Sequence, residues 1–180
     1  YRYPQDIQPS VAGFLSPLQV ASETFQNEGV KIQICQTQSA IQAQLAGLKH
    51  LNRLDSVLAA AELQDGFQEG LMLNADRHVI EGTMSNVFLE TEDGLVTPAL
   101  TKSGVCGTVR EAIMEFCENQ NICCDVSDVT EQDVFSAKSL FMTNRMIGVW
   151  PVKQLDEKQY SFGPITQRIM QENKLGSFDE

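Results

Sequence analysis

Lys49, Glu81 and the run from Ser103 to Glu111 are the parts of this chain whose residue types and spacing suit chemistry. Lys49 stands in Leu48-Lys49-His50-Leu51-Asn52-Arg53, among apolar neighbours and just ahead of a helical pattern. Burial disfavours an ammonium, and a neutral amine is a nucleophile that forms an imine with a carbonyl carbon. The same spacing suits a lysine that lays its stem on apolar surface and keeps its head in water, and the residues alone favour that plainer role. Glu81 closes a strand-like segment and leads into Gly82-Thr83-Met84-Ser85-Asn86. A turn of this kind can aim a carboxylate at a cationic ring nitrogen, or simply satisfy its own backbone, and again the residues alone favour the second. In Ser103-Gly104-Val105-Cys106-Gly107-Thr108-Val109-Arg110-Glu111, two glycines precede a helix. Thr108-x-x-Glu111 reads as a capping box that would close the helix without a ligand. Backbone N–H groups at a helix start, reached across glycines, are equally a phosphate site. The spacing is neither that of a Walker loop nor GxGxxG.

Three further residues are weaker candidates. His50 could carry a proton but is more readily a surface or cap residue. Cys106 could be a nucleophile, yet no histidine lies near it in sequence, and a small buried filler is the simpler role. Arg145 could bind a carboxylate, although a surface arginine is the default.

The elements that must position these groups are short. An apolar run at Val11 to Leu15, between prolines and glycine, reads as a strand flanked by loops. Val30, Ile32 and Ile34 alternate with polar residues, as in a half-buried strand, and Gln36 to Gln44 is a polar connector. Leu54, Val57, Leu58 and Ala61 recur at helical spacing, which predicts an amphipathic helix ending near Gly66 with Asn52 at its cap. Strands follow at Gly70–Asn74, His78–Glu81, Asn86–Thr91 and Leu95–Thr97, the last two joined by a turn containing Asp93-Gly94. A helix over about 108–120, a strand at Ile122–Val126 and a short helix with the box Thr130-x-x-Asp133 come next. Strands at Leu140–Thr143 and Ile147–Val152 and a last helix after Gly163 complete an α/β or α+β pattern with helices outside the strands.

Composition narrows the function classes. The 180 residues suit one domain, or one domain and part of another. Twenty-four acidic against 13 basic side chains give a net charge of -11, which argues against a non-specific nucleic-acid binder. Five cysteines, Cys35, Cys106, Cys117, Cys123 and Cys124, form no CxxC, so neither a disulfide framework nor a metal centre is expected, and a reducing cytoplasm fits. No apolar stretch is long enough to span a membrane.

Taken in order, Leu48-Lys49-x-Leu51-Asn52, Glu81-Gly82-x-x-Ser85-Asn86 and Thr97-Pro98 with Gly104-x-x-Gly107-x-x-Arg110 resemble the fold-type IV pyridoxal phosphate enzymes. That family includes branched-chain and D-amino acid aminotransferases and 4-amino-4-deoxychorismate lyases, and LAGLKHLNRLDSVLAA looks most like the lyase branch. The resemblance covers roughly residues 25 to 173 and implies the fold-type IV C-terminal domain, many short strands in a pseudo-barrel with outer helices. It implies pyridoxal 5'-phosphate as cofactor, with Lys49 as the residue linked to it covalently and as the base. Glu81 would pair with the pyridine nitrogen, and Thr108 and Val109 would hold the phosphate. Val105 would pack on the ring face, Asn86 would stand beside the cofactor, and Asn144 would lie in a loop near the phosphate.

The implied reaction is pyruvate elimination from 4-amino-4-deoxychorismate to give 4-aminobenzoate for folate synthesis. The alternatives are an aminotransferase of the same fold and a catalytically inert domain. The family pattern also implies a homodimer. In that pattern residues 1–24 are the last stretch of an N-terminal domain and its connector, 25–173 the cofactor-binding domain and 174–180 a tail. The preceding part of the N-terminal domain would supply a phosphate arginine and substrate contacts.

Overall fold

The computed structural model describes residues 4–17 and 23–174. Residues 4–17 form neither strand nor helix. The strand expected over Val11–Leu15 is therefore absent, and Val11, Phe14 and Leu15 stand open to solvent. An apolar run with no strand beside it leaves its backbone groups to water. A helix that the apolar spacing did not announce, α1 (Glu23–Glu28), lays Phe25 edge-on against Trp150 with ring centroids 5.4 Å apart. The tail beyond Lys174 lies outside the described residues.

The elements then run β1 (Val30–Ile34), α2 (Leu54–Ala61), β2 (Glu69–Leu73), β3 (His78–Gly82), β4 (Asn86–Glu90), β5 (Leu95–Pro98) and α3 (Thr108–Asn119). After them come β6 (Cys124–Ser127), β7 (Val129–Thr130), α4 (Glu131–Ser136), β8 (Ser139–Asn144), β9 (Gly148–Leu155), β10 (Lys158–Gln159) and α5 (Pro164–Lys174). Hydrogen bonding links the strands in the order β6-β5-β4-β8-β9-β1-β2-β3-β7, with β10 on β9. β1 is parallel to both its neighbours, β2 and β9, while β4, β8 and β9 are antiparallel in succession. The short helix α4 carries the expected box, Thr130 and Asp133 each bonding the other's backbone.

Neighbouring residues on β4 and β8 point to opposite faces, as pleating requires. Val87, Leu89, Leu140 and Met142 join one core with Ile32, Leu71 and Val152. Phe88 and Phe141 stack at 4.9 Å in the other, beneath Ile113 of α3 and Ile169 of α5. Glu90, at the end of β4, is buried and accepts from the Ile165 and Thr166 N–H groups and the Thr166 hydroxyl, which ties the start of α5 to the sheet.

Helix α2 departs from its pattern in three ways. It ends at Ala61 rather than near Gly66, Arg53 rather than Asn52 occupies its cap position, and no side chain caps it. Its apolar stripe also faces away from the sheet. Leu54, Val57 and Leu58 are exposed, whereas Ser56 and Ala59 are buried, the latter against Cys35 and Met72. Small residues bring the helix close to the strands, and the larger ones are left outside.

Candidate active site

The turn between β3 and β4 is built around a carboxylate that sequence spacing did not single out. Glu69, the first residue of β2, is fully buried. Its Oε1 accepts from the Gly70 and Thr83 N–H groups at 2.8 and 3.0 Å and from the Thr83 hydroxyl at 2.5 Å. Its Oε2 accepts from the Ser85 hydroxyl at 2.7 Å and the Met84 N–H at 3.3 Å. Five donors on one carboxylate hold residues 83–85 in place, and the strand on either side of that turn carries Glu81 and Asn86.

Glu81 is buried at the end of β3. Its Oε2 accepts the Val105 N–H at 2.9 Å, and its Oε1 takes the Arg53 guanidinium. Burial pushes the Glu81 carboxyl up, and the Arg53 charge followed by the Val105 N–H pulls it back without cancelling the rise. A buried carboxylate held by two donors is suited to face a cationic nitrogen.

Asn86 holds the glycine loop from the other side. Its amide nitrogen donates to the Val105 carbonyl at 2.8 Å, and its oxygen accepts the Gly107 N–H at 3.2 Å. This bracing explains the glycines. A Cβ on Gly107 would fall 2.2 Å from the Asn86 oxygen. Gly104 has φ +87°, and a Cβ there would meet Leu100 and Ile80 side-chain carbons at 2.6 and 2.8 Å.

The loop delivers the chain to α3 with its first turn open. Gly107 is the N-cap, no side chain caps the helix, and Thr108 is its first residue. The capping box expected from Thr108 and Glu111 does not form. Glu111 instead receives Arg110, whose guanidinium is buried and also donates to Thr97 and the Pro98 carbonyl. Thr108 sits one position too far along to cap, so the helix start keeps N–H groups suited to an anion.

Lys49 arrives by a backbone pairing. The Gly47 N–H donates to the Gly104 carbonyl at 2.9 Å, and the Cys106 N–H donates to the Gly47 carbonyl at 3.0 Å. This bridge ties the segment two residues before Lys49 to the loop that Glu81 and Asn86 hold. Lys49 itself is exposed, and so are Leu48 and Leu51, so the apolar burial suggested by its neighbours is not present. The three separated motifs thus meet through Gly47, Val105 and Arg53.

The remaining candidates divide. Cys106 is exposed rather than a buried filler, because its loop position turns it outward. His50 is half-buried, and its Nδ1 and the Ser103 hydroxyl are buried without hydrogen-bond partners. Both residues line a small cavity of about 40 Å³ with Asn52, Arg53 and Gly104. Asn144 uses its amide within the protein, donating to the Met84 carbonyl and accepting from the Met146 and Ile147 N–H groups. Arg145 is exposed. Arg53 and Glu69 were the residues that motif spacing missed, and a polar residue opening an all-buried strand is the one signal that marks Glu69.

The family model for amino-transferase class IV matches residues 1–155. The chain belongs to the amino-transferase class IV family. As a class IV chain it is 36% identical over 151 residues to the aminodeoxychorismate lyase of Vibrio harveyi, covering 81% of this chain and 55% of that protein. It is 32% identical over 125 residues to the branched-chain-amino-acid aminotransferase of Escherichia coli strain K12, covering 67% of this chain and 40% of that one. The crystal structure of 4-amino-4-deoxychorismate lyase from Pseudomonas aeruginosa superposes with a TM-score of 0.85 at 38% identity, over 90% of this chain and 60% of that chain. The mixed sheet with few helices is the fold-type IV arrangement of these relatives. This class IV chain spans between 40% and 60% of the length of these relatives. Among the described residues, no helix is long and apolar enough to cross a membrane, and no cluster of side chains has metal-binding composition.

Proposed function

We propose that this chain is the cofactor-binding domain of a pyridoxal phosphate-dependent lyase that removes pyruvate from 4-amino-4-deoxychorismate and leaves 4-aminobenzoate. The observation that carries the reading is that one glycine loop is bonded to Gly47, two residues before Lys49, and to the buried Glu81 carboxylate, and leads into the uncapped start of α3. The residues present fit the cofactor. Thr108 and Val109 lie at a helix start without a side-chain cap, which suits a phosphate. The Glu81 carboxylate suits a protonated ring nitrogen, and Val105, on the same loop, offers an apolar side chain for the ring face. Asn86 serves by fixing residues 105–107, and Asn144 by fixing the turn at Met84.

When bound, pyridoxal phosphate supplies a ring that withdraws electrons from the carbon bearing the substrate amine. Lys49 would be the residue that holds the cofactor, and its free amine would be the base for the proton on the substrate's amine-bearing carbon. Glu81 would hold the proton on the ring nitrogen. The exposed run Leu48, Leu51, Leu54, Val57 and Leu58 is the apolar surface that a homodimer would cover. Residues 1–24 then belong to the end of an N-terminal domain and its connector, and 25–173 form the cofactor domain. A reducing cytoplasm is the compartment that suits its five free cysteines.

The second reading is an aminotransferase for branched-chain or D-amino acids, favoured by the 32% identity to the E. coli enzyme. The test is titration with pyridoxal phosphate, followed by visible absorbance, borohydride reduction and peptide mapping, on this chain and on the full-length protein. The expected label is on Lys49, and Lys49→Ala abolishes it. Full-length protein given 4-amino-4-deoxychorismate should release pyruvate and 4-aminobenzoate in equal amounts. An amino group passed to a 2-oxo acid without pyruvate release establishes the aminotransferase, and a label absent from Lys49 overturns both.

A further inference from the structure

Arg53 lies outside the roles assigned so far. It stands at the cap position of α2 with φ -124° and ψ 39°, off the helical path. From there Nη2 donates to the Ser56 hydroxyl at 3.0 Å and pairs with Glu81 Oε1. The two side chains are 21% and 4% exposed, so water screens this pair poorly. Ser56 is a polar residue buried on the sheet-facing side of α2, and its contact with Arg53 explains why it is there.

The charged neighbours of Glu81 come from few directions. Arg53 faces it from the start of α2, and Asp55, two residues on, opposes it. The glycine loop contributes the neutral Val105 N–H. Glu69 of β2 directs its carboxylate to the 83–85 turn instead. A buried carboxylate with no cation beside it takes up a proton, and in that form it is no counter-charge for a cationic ring. Arg53 is therefore the one positive side chain placed to prevent this among the described groups acting on Glu81.

We infer that Arg53 is a positioning residue for Glu81: its guanidinium keeps the carboxylate charged and aimed before the cofactor binds, and shares it with the ring nitrogen afterwards. The first half depends only on this chain. The second half rests on the proposed cofactor role of Glu81. Sharing one carboxylate between two cations also means that the ring proton is held less firmly than by a carboxylate alone.

The test uses the full 180-residue chain with carbon-13 in its glutamate carboxyls, assigning Glu81 by Glu81→Gln. Without cofactor, the Glu81 resonance should titrate at higher pH in Arg53→Met than in the unmodified chain, and Arg53→Lys should restore most of the difference. A folded Arg53→Met chain with an unmoved Glu81 titration overturns the proposal. If Arg53→Met does not fold, Ser56→Ala loosens the guanidinium without touching Glu81, and it must move the titration the same way for the proposal to stand. In the cofactor arm, pyridoxal phosphate should bind Arg53→Met about tenfold more weakly at neutral pH and Arg53→Lys within about threefold of the unmodified chain. Unchanged affinity with a shifted Glu81 removes the second half alone. Failure of every chain to take pyridoxal phosphate on Lys49 overturns that half together with the reading beneath it, while the resonance arm still decides the first.

Discussion

Replacing Glu69 by glutamine changes one atom and should cost about 2–3 kcal/mol. The carboxylate accepts five hydrogen bonds from inside a fully buried position. A glutamine whose oxygen takes the Oε1 place keeps the Gly70 and Thr83 donors, but as neutral bonds, each weaker by about 1 kcal/mol than the charge-assisted ones. Its NH2 then faces Ser85 and Met84. The Ser85 hydroxyl can turn to accept, but the Met84 N–H, 3.3 Å away in the parent, is left without an acceptor. Burying a neutral amide in place of a charge offsets part of the roughly 4 kcal/mol lost, which gives the stated figure. Glu69→Ala strips three backbone donors as well and should cost about 4–6 kcal/mol. Equilibrium guanidinium denaturation followed by circular dichroism measures both. A glutamine variant within about 0.5 kcal/mol of the parent would show that the 83–85 turn holds itself, and the reasoning would be wrong.

Two further outcomes follow from the same geometry. Asn86→Ala removes the two bonds by which Asn86 braces the glycine loop and should destabilise the chain by about 2 kcal/mol, with faster amide exchange at Gly107, measured by hydrogen–deuterium exchange. For Glu81, burial holds the folded carboxyl above its ordinary 4.5, so the folded state binds this proton more tightly than the unfolded state does. Its contribution is complete below that value and lost as pH rises through the folded one, so the stability of the parent relative to Glu81→Gln should fall as pH rises from about 4.5. A difference that is flat or grows with pH refutes the assignment.

How much could be read from the residues depended on whether the cause was local. The strands at Asn86–Glu90 and Ser139–Asn144 follow short apolar runs and the helix Thr108–Asn119 follows helical spacing, which are properties of a few consecutive residues. The Thr130 box formed because both members lie within one turn. Thr108 failed as a cap because Asn86, far off in sequence, fixes Gly107 and starts the helix one residue earlier than the box needs. The outward stripe of α2 was equally hidden, since Ser56 and Ala59 face inward only because Arg53 and Cys35 wait there. Lys49, Glu81 and the glycine loop were visible as residue types, but the links joining them are the Gly47 bridge and the Arg53 pair, and neither has a local signature.

The parallel pairing of β1 with β9 sets a timetable for synthesis. Val30 pairs with Val152, so one edge of β1 has no strand to join until nearly the whole domain has left the ribosome. At about 5–20 residues per second, the stretch between Ile34 and Gly148 takes roughly 6–23 s to make. Through that interval a strand bearing Val30 and Ile32 offers open backbone groups to any extended segment nearby, its own or another chain's. Recovery of folded protein should therefore respond to whatever shields nascent chains in those seconds, such as slower initiation, lower temperature or a holding chaperone, more than to substitutions that stabilise the finished fold.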